Sequence, residues 1–195
     1  MAQTKNVYKE KLNALFVGFK PTGLSSNQYI GQLKRKFKQK KAGYSGTLDP
    51  FAKGVLICAF GAHTKLFRFL KKTPKRYRAT LWLGAYSPTL DTEKIETIDT
   101  LAPFKFEEVL HAVQSLQGEL SYLPPKFCAK KVNGVRAYKL ARSDTEFELD
   151  AITSHIHDIQ LIHYSHPFVT FEATVSEGTY IRSLIRDIGD KLGCG

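Results

Sequence analysis

The residue most suggestive of chemistry lies in residues 43–56, GYSGTLDPFAKGVL, which run directly into the apolar stretch 57–60. The Gly-rich start and the Asp49-Pro50 pair predict a tight loop feeding a buried strand that begins near Gly54. Asp49 then sits on irregular backbone anchored by core structure, a setting in which catalytic carboxylates are often held. The same pair also suits a plain turn, the Asp side chain satisfying nearby backbone N–H groups.

Other groups able to react or ligate are scattered. His155 and His157, at period two, share one face of a strand, but spacing suggests no third ligand, so exposed strand histidines are expected rather than a metal site. Cys58, Cys128 and Cys194 are too few and too far apart for a disulfide framework or a thiolate cluster, which suggests a reducing compartment. Arg182 stands near the start of a helix, where the dipole disfavours a cation unless an acidic group or a phosphate offsets it. A carboxylate partner would explain it, and so would an exposed position or a pair with Asp187. No Gly-rich phosphate-binding loop follows a strand, and no Ser-His-Asp arrangement can be argued.

The elements that must carry these residues follow from periodicity. Residues 1–13 read as a polar N-terminal arm. Residues 14–19, ALFVGF, predict a buried strand closed by the turn Lys20-Pro21-Thr22-Gly23. Ser25 or Ser26 is the expected cap of a helix with Tyr29, Ile30, Leu33 and Phe37 at helical spacing, and Lys34, Arg35, Lys36, Lys38, Lys40 and Lys41 crowd its end. Thr64 is the expected cap of a short helix containing Leu66, Phe67, Phe69 and Leu70. Residues 75–84, KRYRATLWLG, alternate as a half-buried strand with Tyr77 in the inward set; Tyr77 is then a core aromatic or, with cations on both sides, a ring able to stack on a base. Residues 87–99 read as a polar connection. An amphipathic helix follows over 106–116, then a basic segment, 123–142, then two paired strands turning near His166-Pro167, and a last helix with Ile181, Leu184, Ile185, Ile188 and Leu192 as its apolar stripe.

A chain of 195 residues with 43% hydrophobic content can bury a substantial core. Its net charge of +11 favours a polyanionic partner, since Lys and Arg neutralising phosphates dominate non-specific nucleic-acid affinity. No apolar run is long enough for a signal peptide or a membrane span, so a cytoplasmic, membrane-free protein is expected.

Four stretches resemble, in order, the TruB family of pseudouridine synthases: KPTGLSS (20–26), GYSGTLDPFAKGVL, KRYRATLWLG with its trailing SPTLD, and VSEGTYIRSL (175–184). The segment PPKFCAKKVNGVRAYKLAR (124–142) is also similar to a family stretch. The resemblance implies an α+β fold, a mixed and largely antiparallel sheet flanked by helices, over residues 14–195. Because family members continue with more core structure, the catalytic domain is expected to be truncated at its C-terminal end. It further implies that Asp49 is the catalytic carboxylate, Arg182 its ion-pair partner and Tyr77 the aromatic stacked on the target uracil. Tyr180 would line the same pocket, Tyr44 would push into the RNA where the family commonly has His, and Lys20, Lys130, Arg136 and Arg142 would contact RNA.

The implied substrate is the uridine at position 55 in the T-arm of tRNA, converted to pseudouridine by base flipping and by breaking and re-forming the glycosidic bond. No cofactor or metal is implied, and no obligatory protein partner, so a monomer is expected. Two other readings stay open: the catalytic subunit of a guide-RNA pseudouridylation particle, and a non-catalytic tRNA-binding or folding module in which Asp49 is structural.

Overall fold

The structure is a computed structural model that describes residues 12–194, so the arm expected over residues 1–13 lies almost wholly outside it. The chain divides into two compact units, with the boundary between Lys71 and Lys72.

In the first unit, β1 (Ala14–Lys20) is followed by α1 (Ser26–Lys36), β2 (Ala42–Ser45), β3 (Gly54–Phe60) and a 3-10 helix, Gly61–Phe69. The three strands form an antiparallel sheet in the order β1-β3-β2. Ser25 caps α1 through its side chain, and Gln28 returns a bond to the Ser25 backbone, so a capping box fixes where the helix begins. The small core under the sheet gathers Ile30, Leu56 and Cys58, with Phe16, Tyr29, Leu33 and Tyr44 packed against it. Burial pushes the Cys58 thiol up to about 11, consistent with a structural cysteine.

Two expectations need correction here. The first strand is not buried on both faces: Leu15, Val17 and Phe19 are exposed, because alternate residues point away from the small core, and Val55, paired with Phe19 on the central strand β3, is exposed on the same face. Thr64 does not cap its helix. The element begins at Gly61, and the Thr64 hydroxyl donates back to the Gly61 carbonyl at 3.0 Å.

In the second unit a four-stranded sheet runs in the order β4-β11-β10-β7, formed by β4 (Lys75–Trp82), β7 (Gly118–Tyr122), β10 (Ile152–Ser165) and β11 (Phe168–Val175). Between them lie two short hairpins, β5 (Ala85–Tyr86) with β6 (Thr97–Ile98) and β8 (Lys131–Val132) with β9 (Val135–Arg136). The helices are α2 (Phe106–Gln114), α3 (Ala137–Arg142) and α4 (Ile181–Lys191). The inward residues of β4, β10 and β11 meet the apolar stripes of α2 and α4 in one cluster that includes Leu81, Val109, Val113, Ile156, Phe171, Leu184 and Ile188.

The α+β class stands, with one refinement: every described ladder is antiparallel, where a mixed sheet was expected. The strands beside one another are joined by hairpins or by returns that reverse direction, so no parallel crossover arises among the described residues. No described helix is long and apolar enough to cross a membrane.

Candidate functional site

In the first unit the chain is built to hold the segment around Asp49. Strand β1 ends on Lys20, the turn that follows contains Gly23 at φ +81°, and the Gly23 N–H donates to the Pro50 carbonyl at 2.8 Å. Gly is required there because a Cβ in the left-handed region would be strained. Lys20 donates from Nζ to the carbonyls of Leu24 at 2.7 Å, Pro21 at 2.9 Å and Pro50 at 3.4 Å. Past the carboxylate, the Ala52 N–H closes a turn on the Asp49 carbonyl at 3.1 Å. Asp49 itself is half-buried.

Lys20, expected to contact RNA, here has a structural job. Its side chain is 0% exposed, and its ammonium ties two loops together. Burial drives its pKa below the ordinary Lys value, and the negative charge of Asp49 works against that shift. Tyr44 lies opposite Cys58 on β3, packs on the small core, and donates its hydroxyl to Asn27 Oδ1 at 2.9 Å. Asn27 was not singled out from the sequence, because nothing local links a first-turn helix residue to a strand 17 positions away.

In the second unit Tyr77 sits on β4 opposite Ala173, half-buried against the main cluster. Its flanking cations point to the other face of the sheet. There Arg76 and Arg78 both engage Glu172, with Arg78 Nε at 2.8 Å from Oε1, and these bonds hold the Glu172 carboxyl below its usual range. They follow the strand alternation and leave Tyr77 in a largely apolar setting.

Tyr180 immediately precedes α4, and its N–H donates to Tyr122 Oη at 3.0 Å. Tyr122 also pairs with Ser154 Oγ at 2.9 Å, so a buried network fixes the approach to α4. Burial raises the Tyr180 phenol well above its normal value, reinforced by the neighbouring Cys128 thiol. Cys128 is itself buried, at 3% exposed.

Arg182 is neither exposed nor paired with Asp187, which binds Arg186 instead. It donates to the Thr89 carbonyl at 2.8 Å and the Phe127 carbonyl at 2.9 Å, and its Nη1 lies 3.8 Å from Asp91 Oδ2. Asp91 in turn accepts from the Thr89 hydroxyl at 2.7 Å and the Glu93 N–H at 2.8 Å. The stretch expected to be a polar connection thus begins as a buried turn, in which Ser87 and Thr89 are 8% and 3% exposed, while residues 92–99 are exposed as a polar connection would be. Asp91 is another residue that sequence reasoning missed; the signal was the SPTLD text itself, a carboxylate inside a motif.

Among the cations expected to meet RNA, Arg142 pairs with Glu93 at 3.3 Å, Lys130 reaches the Asp150 carbonyl at 3.2 Å, and Arg136 reaches the Ala129 carbonyl at 2.9 Å. All three bonds are solvent-exposed, where such contacts are weak enough to be exchanged for phosphate. The rings of His155 and His157 lie tilted to one another with centroids 4.7 Å apart, and no group of three or more metal-ligating side chains occurs among the described residues.

The first unit thus supplies a carboxylate on a pinned loop, and the second an aromatic ring on a strand and a buried guanidinium. Comparison with known proteins gives these parts a context. The model of the TruB family pseudouridylate synthase N-terminal domain matches residues 34–181. A tRNA pseudouridine synthase B of Sulfurimonas denitrificans is 60% identical over 93% of this chain and 67% of its own length. Another from Sulfurovum sp. is 59% identical over 93% of this chain and 65% of its own length. The chain therefore spans about two thirds of these relatives. Among solved structures, a chain in the crystal structure of a Cbf5-Nop10-Gar1 complex shares the fold at a TM-score of 0.71 and 25% identity, covering 95% of this chain and 46% of that one. With the motif residues placed in well-defined elements and a family model matching most of its length, the chain belongs to the TruB family of pseudouridylate synthases.

Proposed function

We propose that this protein converts uridine to pseudouridine in the T-arm of tRNA, at position 55, with Asp49 as the catalytic carboxylate. The observation that carries the reading is the Asp49 loop: in a chain of this family, the carboxylate sits on backbone pinned at Pro50 by both Gly23 and a buried lysine. Such pre-organisation is what a positioned nucleophile or base requires.

The reaction is an isomerisation. The bond from ribose C1′ to uracil N1 breaks, the base turns, and C1′ bonds to C5; the C5 proton is removed and N1 ends protonated, so atoms and electrons balance without oxidant or energy input. A base buried in RNA structure must first be exposed, at a cost on the order of a few kcal/mol. Stacking on Tyr77, worth roughly 1–3 kcal/mol, offsets much of it. Tyr180 lines the uracil pocket, Arg182 contributes positive charge to it, and Tyr44 fills the space that the flipped base leaves. Lys130, Arg136 and Arg142 hold the phosphate backbone, in keeping with a net charge of +11. The protein acts alone, as a monomer without cofactor, in the cytoplasm where its tRNA substrate is.

The test is incubation of an unmodified T-arm hairpin with the chain, followed by pseudouridine mapping, beside Asp49→Asn. Pseudouridine at the T-loop uridine only with intact Asp49 is expected, with hairpin binding kept in both. Binding without turnover in either would leave a tRNA-binding module as the correct reading.

A further inference from the structure

The residue before Asp49 is held from a place that capping does not explain. Ser26 is the first residue of α1 and only 1% exposed, yet the helix is capped by its neighbour Ser25. The Ser26 hydroxyl is directed to Leu48, 22 residues away: Oγ accepts from the Leu48 N–H at 3.0 Å and donates to the Leu48 carbonyl at 3.1 Å. Both polar groups of one residue are thereby bound by one side chain. The Leu48 carbonyl belongs to the peptide unit whose nitrogen is that of Asp49. On the other side, the Pro50 carbonyl is fixed by Gly23. The backbone bearing the carboxylate is bracketed by these two anchors, and a hydroxyl buried to this degree has little freedom to release its partner.

We propose that Ser26 is a positioning residue for Asp49: by clamping Leu48 in both directions it sets the direction in which the carboxylate leaves the backbone. The proposal rests on the function proposed above. It predicts an effect on the chemical step rather than on RNA affinity, because Ser26 is enclosed and has no surface to offer a substrate. A displacement of the order of 1 Å at a reacting group can cost about 10²-fold in rate.

The experiment compares Ser26→Ala with Thr64→Val, which removes a hydroxyl bonded to backbone in the same unit but away from the Asp49 loop. Turnover of the T-arm hairpin, thermal midpoint and amide exchange at Leu48 are measured for the wild-type chain and both variants. Ser26→Ala is expected to lower kcat by about 10- to 100-fold with KM within about twofold, and to speed Leu48 exchange. Thr64→Val is expected to keep kcat within about twofold even if its midpoint falls as far. If Ser26→Ala does not fold, Ser26→Cys, which fills the site with a poorer donor and acceptor, must show the same loss of kcat. Unchanged kcat, a loss expressed in KM, or an equal kcat loss in Thr64→Val overturns the proposal while leaving the function intact. A wild-type chain that binds the hairpin without turning it over defeats the functional reading and this inference with it.

Discussion

Replacing Arg182 by Met removes the cation from the buried turn that holds Thr89 and Asp91, and a cost can be worked from its bonds there. The guanidinium loses two charge-assisted bonds, to the carbonyls of Thr89 and Phe127, each worth about 1.5–3 kcal/mol. It also leaves Asp91 buried without its cation, the two side chains being 6% and 7% exposed. Removing one partner of a buried pair costs about 3–5 kcal/mol. The Thr89 hydroxyl and the Glu93 N–H continue to donate to Asp91, and methionine returns apolar contact, so a loss of about 3 kcal/mol is expected. Asp91→Asn should be milder, about 1–2 kcal/mol, because the amide keeps an acceptor for the same donors.

In the double variant the stranded charge is gone, so the combined loss should fall short of the sum by at least about 1 kcal/mol. Urea unfolding followed by the fluorescence of Trp82 measures this, since the only tryptophan lies on β4 of the same unit. An Arg182→Met cost below about 1 kcal/mol, or additivity within about 0.5 kcal/mol, would refute the buried-hub account.

Two further outcomes follow from shifted ionisations. Burial lowers the pKa of Lys20 below its ordinary 10.5, so between the lowered value and 10.5 the unfolded chain binds more protons than the folded one. Stability should rise with pH across that window, and Lys20→Met should flatten the rise in alkaline denaturation titrations; an unaltered slope would show that Lys20 is not the group responsible. Glu172 shifts in the opposite sense. Its bonds to Arg78 and Arg76 lower its pKa, so its contribution is complete above the ordinary value of 4.5 and disappears as pH falls through the folded value. In acid titrations followed by circular dichroism, Glu172→Gln should remove that part of the pH dependence, and a profile matching wild type would count against the pairing.

Much of the fold was legible because it depends on local period. The alternation of Tyr77, Ala79 and Leu81 marked β4, the stripe from Ile181 to Leu192 marked α4, and the apolar run after Gly54 marked β3. Strand β7, by contrast, went unread: Gly118–Tyr122 is short and joins the sheet only because β10 pairs with it. The exposure of Val17 and Phe19 was equally hidden, since nothing within β1 records that only one face of its sheet meets the small core.

The candidate site divides in the same way. Asp49, Tyr77, Tyr180 and Arg182 stand in motifs, so their identity was written in the chain. The jobs of Lys20, Ser26 and Asp91 were not. A lysine between a strand and a turn looks like surface, a second serine beside a cap looks redundant, and an aspartate in a polar stretch looks solvated. Each becomes fixed only when residues distant in sequence present carbonyls, an N–H or a guanidinium at bonding distance and water is excluded around them. The sequence alone determined the strongly periodic elements and, through residue type and motif, which side chains are the candidates for chemistry. The tertiary structure decided which polar groups are buried together, because desolvation and hydrogen bonding between remote segments are properties of packing that no local window contains.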